Sequence, residues 1–446
     1  KRMNAPALFV YFPFILGTFE LLFAEKRRII AVLSLACCAA LIVLATAIPI
    51  NSMIISGETS IIYISSTELL GRTLSIARSQ QPIVTFLYAI AALGIVLSLA
   101  VPSSRFFVPW TLMSTALVVA VIAVSPFIFG AMMIFLIALI VFPILRYEQR
   151  GNGDGLMRFL FWQLMGMIFL SLGAWLATLV GLNPTNQALM LRVTLILFLG
   201  LIFWLGFSPI QTWLVQIIDQ TCPFLSGFMV SLIQFASIYL LLNFMNSFVW
   251  IRTNAVFLAG LQGLGLVMLI FGGVKTLTQK SNQRIFPSVL IAENGIALIL
   301  LGIRTTESLT VFLSLWFIRV VAGIIWSAAS KSLLIAESAR SRNVNGDTGY
   351  PLTILTIGLS YFSIVGFPFL AAFPLKVSFL SLAFALSNPI GAIAAFGMFL
   401  TISGGFRHIF RLTQFITPQT AESGGESSEP EAEDSSPDHE ARFLRI

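Results

Sequence analysis

Four ionisable side chains stand out because of where they fall. Glu293, Arg319, Lys331 and Lys376 each lie within a stretch that is otherwise apolar. A charge at the middle of a bilayer costs roughly 2.5–3.5 kcal/mol on insertion scales, so such groups mark functional sites by default. A carboxylate and two amines on consecutive helices can pass protons by alternating between charged and neutral forms, and Glu293, Lys331 and Lys376 are the residues that could form such a relay. The plainer alternative is packing: Lys331 snorkels to the surface from its helix end, and Glu293 pairs with a nearby arginine. Arg319 and Lys331 are 12 residues apart, too far for contact on one helical face. Lys376 follows Pro368, where a broken helix frees backbone groups that can hold water.

Little else could do chemistry. Cys37 and Cys38 fall inside one span and Cys222 at the mouth of another, without disulfide number or metal-ligand spacing, and they read as small packing residues. The two histidines, His408 and His439, both lie near the C-terminus, which argues against a haem or His-rich metal site in the membrane. No glycine-rich phosphate loop, cysteine cluster or soluble catalytic domain offers a seat for a nucleotide, flavin or iron–sulfur centre. No cofactor and no metal are expected, and electron transfer would have to lie in partners.

These residues must be positioned by helices in lipid. The 446-residue chain is 57% hydrophobic and 10% charged, with 40 Phe, too little polar surface for a soluble globule. Its apolar runs reach the length of about 20 residues that one helix needs to cross a bilayer, and they are too long and continuous for barrel strands. The fold class is therefore all-α and polytopic, with about 13 transmembrane helices at 5–24, 29–50, 83–101, 107–124, 126–145, 157–181, 190–209, 223–246, 255–274, 285–302, 309–333, 351–387 and 389–411. The twelfth is too long for one straight crossing and contains Gly366, Pro368 and Pro374, so it reads as a broken helix. Discontinuities are expected near Pro209 and Pro368. The first run has full span length, unlike a cleavable signal, and whether Lys1 is the true start stays open.

The net charge of +7 conceals a split. Residues 417–446 hold 8 of the 19 acidic side chains, and their Glu, Ser, Pro and Gly content marks an acidic disordered tail. Loops and span ends on one side carry 14 Lys and Arg against 7 on the other, which places the N-terminus outside and the tail in the cytoplasm. No basic patch is interleaved with aromatics outside the membrane, so nucleic acid is not an expected partner. Residues 51–82 form the one long external loop, and Ile61 to Thr67 is β-prone enough for a small hairpin.

The order of motifs resembles the antiporter-like membrane subunits of NADH:quinone oxidoreductase (complex I), shared with Mrp-type cation/proton antiporters and membrane-bound hydrogenases. Four stretches carry the resemblance across most of residues 80–411. Gly206-Phe207-Ser208-Pro209-Ile210-Gln211-Thr212-Trp213-Leu214 is similar to Pro-Phe-His-x-Trp-Leu-Pro, with Cys222-Pro223-Phe224 as the following turn. Gln279, Arg284 and Gly295 keep the spacing of the family's Gln-to-Gly stretch. Ala329-Ser330-Lys331-Ser332-Leu333-Leu334 resembles the Lys-Ala-Leu-Leu segment, and Gly366 to Lys376 resembles Gly-x-Pro-x-x-x-Gly-Phe-x-x-Lys. The resemblance implies an inverted-repeat fold divided as spans 1–2 with the loop (1–82), a first half (83–246), a second half (247–411) and the tail (412–446).

Departures from the family pattern matter as much. In pumping members a Glu on span 5 pairs with a Lys on span 7, and a Lys on span 8 passes the proton on. Here span 5 has no carboxylate, its place falling near Met132 or Met133; Trp204 stands at the first lysine position, Phe235 at the second, and Gln211 within the altered motif. The resemblance therefore implies a degenerate first half-channel and a second half keeping Glu293, Lys331 and Lys376, with Ser327 at a family His position. The expected function is a non-redox membrane subunit of a redox-driven proton or cation translocating complex, partnered by other membrane subunits in a bacterial cytoplasmic membrane. A stand-alone secondary antiporter and a non-pumping assembly subunit stay open as alternatives.

Overall fold

The structure, a computed structural model, describes residues 2–51, 53–56, 59–69, 71–126, 128–149, 153–183, 186–207, 210–340 and 350–414. A π-wound turn at Ala7–Tyr11 leads into α1 (Phe12–Leu22), followed by α2 (Arg27–Ala47), α3 (Gln81–Ala100), α4 (Phe107–Ala123), α5 (Ile128–Tyr147), α6 (Asp154–Leu182) and α7 (Gln187–Leu205). Then come α8 (Thr212–Gln220), α9 (Pro223–Ser247), α10 (Val249–Thr253), α11 (Ala255–Thr278), α12 (Asn282–Ile303), α13 (Thr306–Arg340), α14 (Tyr350–Val365), α15 (Phe373–Leu386) and α16 (Asn388–Gln414). Among the described residues ten helices are long and apolar enough to cross a membrane, and four shorter apolar ones accompany them: Ala7–Leu22, α4, α14 and α15. The chain is an integral membrane protein of all-α architecture.

Both expected discontinuities are present. α7 stops at Leu205 because Gly206 takes φ +74°, and α14 stops at Val365 because Gly366 takes φ +85°. An L side chain rarely adopts that left-handed backbone, so glycine is what permits each helix to end there. The chain resumes as α8 in the first case and as α15 in the second, after a turn that includes Pro368. Pro209, expected at the first break, lies outside the described residues.

Two features depart from the sequence reading. The stretch expected to end at residue 333 continues as α13 to Arg340, because Ile335 to Arg340 contains polar but helix-compatible residues; hydropathy falls there before helicity does. The hairpin expected within residues 51–82 is larger than the sequence reading gives. β2 (Met53–Ser56) and β3 (Thr59–Ile64) pair antiparallel with β1 (Arg2–Asn4) parallel beside β3, while β4 (Ser66–Leu69), β5 (Arg72–Ser75) and β6 (Val124–Ser125) form a second three-stranded sheet. A lone hairpin is marginal in water, and each sheet gains its third strand from another part of the chain.

α4, α9 and α12 are buried along nearly their whole length and form the centre of the bundle, on which helices such as α16 pack one face. α16 shows the pattern: Gly391, Ala394, Gly397, Thr401, Gly404 and His408 face inward, while Phe396, Phe399, Phe406 and Phe410 face outward. Small residues on the inner stripe let helix backbones approach closely, which is how helices associate when lipid removes the hydrophobic drive. Loop contacts gather on two opposite ends. Arg284 pairs with Asp219 at 2.8 Å and Arg407 donates to the Gln279 carbonyl at 2.9 Å on one end. On the other, Arg304 donates to Asn246 at 2.6 Å and Gln81 to the Ile48 carbonyl at 2.8 Å.

Candidate functional site

Lys376 sits in the first turn of α15, directly after the break, and its Nζ lies 2.6 Å from each Glu293 carboxylate oxygen on α12. Both are buried, Lys376 to 1% and Glu293 to 5% exposure. Gly366 shapes this corner as well, since a Cβ there would strike Lys376 Cγ. Burying two charges costs several kcal/mol per ion, and only close pairing with further polar partners offsets it. Those partners stand next along α12. Asn294 Oδ1 accepts from Arg319 Nη1 at 2.7 Å, and Arg319 Nη2 donates to Gln234 Oε1 on α9. The guanidinium, itself 4% exposed, also lies over the Trp316 ring, 4.2 Å from its centroid.

The row is anchored to the other break. Asn294 Nδ2 donates at 3.0 Å to the carbonyl of Leu205, the last residue of α7. Ending α7 there leaves carbonyls without an intrahelical donor, and a buried one is costly unless paired. One amide thus satisfies the broken helix with its NH₂ and the guanidinium with its oxygen. A polar line, Lys376–Glu293–Asn294–Arg319–Gln234, therefore crosses from α15 through α12 and α13 to α9.

Lys331 is not part of that line. It lies 12 residues beyond Arg319 on α13, about 18 Å at the helical rise. Its neighbour Ser330 accepts from Asn282 Nδ2 at 3.0 Å, and Asn282 Oδ1 meets His408 Nε2 at 2.8 Å. Among the described residues no carboxylate comes within ion-pair distance of Lys331. It stands inside α13 rather than at the helix end, and Glu293 pairs with a lysine rather than an arginine, so both details of the packing alternative are corrected. Ser327 is buried and spends its hydroxyl on the Ile324 carbonyl at 2.7 Å.

Of the altered first-half positions, Trp204, Phe235 and Gln211 are buried, whereas Met132 is exposed and Met133 half-buried. Trp204 Nε1 donates to the Gln163 carbonyl at 3.0 Å, and Phe235 lies between Phe86 and Tyr239 with ring centroids 6.2 and 6.1 Å away. Gln211 is buried in the turn before α8, its backbone N–H donating to the Phe207 carbonyl at 2.9 Å. Between α5, α6, α7 and α9 there is a cavity of about 20 Å³ lined by Ala131, Leu170, Leu197, Leu240, Phe244 and Ser237, whose hydroxyl donates to the Ile233 carbonyl at 2.8 Å. That volume is roughly one water, and a mostly apolar lining gives a water few partners.

Gln234 and Asn294 were not singled out as site residues from sequence. A signal was available: each is an amide inside an otherwise apolar stretch, and Gln234 precedes Phe235 while Asn294 follows Glu293.

Residues 158–401 match the family described as NADH:quinone oxidoreductase/Mrp antiporter, transmembrane, and the chain belongs to that family. Similar solved structures include a chain of the Mrp complex from a Dietzia species, at 14% identity and TM-score 0.70 over 90% of this chain and 79% of that one. A chain of an archaeal membrane-bound sulfane sulfur reductase, a respiratory membrane complex, is similar at 15% identity and TM-score 0.71 over 91% and 87%. A chain of respiratory complex I from Thermus thermophilus is similar at 16% identity and TM-score 0.70 over 96% and 91%. No curated protein sequence matches the chain.

Proposed function

We propose that the chain is a non-redox membrane subunit of a redox-driven proton or cation translocating complex, with its first half-channel closed and its second carrying ions. The observation that carries this reading is the Lys376–Glu293 pair, a buried base and acid in contact at a helix break. Such a pair can hold a proton on either partner and hand it to water at the break, which is what an intramembrane relay needs. Lys331 is a further station of the relay toward the basic-rich end. The small apolar cavity and the aromatic residues at the lysine positions support a first half that conducts nothing.

In this reading α14 and α15 share one discontinuous crossing, giving 13 in all, with the N-terminus outside and the acidic tail in the cytoplasm. The 14-to-7 partition of basic residues supports that orientation. The divisions at 82, 246 and 411 separate the leading spans, the two halves and the tail. Partners are other membrane subunits, as in the complexes from which the similar structures come.

Purifying the tagged chain from its native membrane tests the subunit reading. Recovery with redox subunits and electron-transfer activity is expected. Recovery of the chain alone, with cation/proton exchange in vesicles, would instead make it a stand-alone antiporter.

A further inference from the structure

Lys376 and Glu293 together are neutral while both are charged. If Lys376 releases a proton to water, the N–H bond breaks, its electron pair stays on Nζ, and Glu293 is left as a carboxylate facing an uncharged amine. Leaving one buried charge without its partner is strongly unfavourable. A two-member pair would therefore resist the very step a relay requires. The structure holds a third charge: Arg319 is buried beside the pair, bonded to the residue next to Glu293, and interacts electrostatically with both Glu293 and Lys376. A guanidinium does not give up its proton in proteins.

We propose that Arg319 is a positioning residue of the relay: its guanidinium is the standing countercharge that lets Lys376 release a proton without leaving Glu293 unpaired. The cluster then alternates between a net single positive charge and neutrality, not between neutrality and a bare negative charge. The side chains around Arg319 fit this role. Gln234 and Asn294 offer it amide oxygens, which hold a cation without neutralising it, and Trp316 offers a ring face. A carboxylate at either amide position would cancel the charge that the cycle uses. The inference rests on the translocating reading above.

The test compares three variants in vesicles containing the intact complex, with ion uptake divided by electron transfer. Arg319→Gln is expected to cut the uptake assigned to this subunit about tenfold while electron transfer continues. Arg319→Lys, which keeps the charge but reaches fewer acceptors, is expected to retain at least about half. Arg319→Gln with Gln234→Lys places a cation on the opposite side of the same contact and is expected to restore uptake. A mere brace predicts the reverse order, with Arg319→Lys failing like Arg319→Gln and the relocated lysine rescuing nothing; that result overturns the proposal. If Arg319→Gln does not assemble, the relocated-charge variant decides: uptake supports the inference and its absence refutes it. Removing Lys376 and Glu293 together separates the two levels, since full uptake without them would sink the translocating reading itself.

Discussion

Asn294 and its neighbour Glu293 join two structural breaks that lie far apart in the chain. The Asn294 NH₂ group satisfies the Leu205 carbonyl where α7 ends, while Glu293 holds Lys376 just past the second break; the Asn294 oxygen accepts from Arg319. The interruptions are therefore linked through two consecutive residues of α12. Replacing Asn294 by Leu removes both bonds and leaves a buried carbonyl and a buried guanidinium underpaired, each costing about 1–3 kcal/mol. The expected result is a loss of thermal stability of the detergent-purified complex together with a loss of ion uptake. Loss of neither would mean that the two breaks are energetically independent.

Gly366 and Gly206 both adopt left-handed backbone, but the space around them differs. A Cβ at Gly206 would meet its nearest neighbour, Leu214, at an ordinary 3.5 Å, whereas one at Gly366 would collide with the Lys376 side chain. Gly206→Ala should cost about 1 kcal/mol of strain and little function. Gly366→Ala should cost more and also displace Lys376, lowering ion uptake per electron. Equal effects of the two substitutions on uptake would show that strain alone matters.

Trp204 fills the place of a family lysine and is completely buried. Trp204→Ala should cost about 3–5 kcal/mol of stability through the cavity it leaves. Ion uptake per electron should stay unchanged, because in the proposed closed half no conducting path is lost. A fall in uptake with electron transfer intact would put conduction back into the first half.

Orientation is open to chemical labelling. Ser66, exposed on β4, and Lys280, exposed between α11 and α12, lie on opposite ends of the bundle. Introduced singly as cysteines in a background without Cys37, Cys38 and Cys222, Ser66→Cys should react with an impermeant reagent from outside and Lys280→Cys only from inside. The opposite pattern would invert the topology, and labelling of both from one side would contradict the number of crossings.

Much of the helical organisation was legible because lipid imposes a single rule: apolar runs of span length must be helices. The apolar stretches read from sequence overlap the described helices, with 351–387 falling on the pair α14 and α15. The two breaks were readable from prolines and glycines, although the glycines at 206 and 366 are what cap the helices. Partner choice among buried charges was not legible. Lys331 and Lys376 look alike in composition, but Gly366 and the turn after it aim Lys376 at Glu293, while Lys331 lies more than three turns beyond Arg319. Amides such as Gln234 and Asn294 carry no charge to draw notice, and their importance comes from contacts between residues 85 and 25 positions from Arg319 in sequence. α13 runs on past the expected span end at 333 because hydropathy reports the membrane boundary rather than the helix boundary.

The central claim is that the Glu293–Lys376 pair moves ions. Removing Lys376 alone would leave Glu293 short of its partner, so the cleanest variant neutralises both, Glu293→Gln with Lys376→Met, which removes the buried charges together and preserves packing. The decisive measurement is ion uptake per electron transferred by the intact complex in sealed vesicles. Uptake reduced by the share of this one subunit, with electron transfer and assembly intact, is the predicted result. Unchanged stoichiometry in the double variant would contradict the account and leave the pair as a structural tie between α12 and α15.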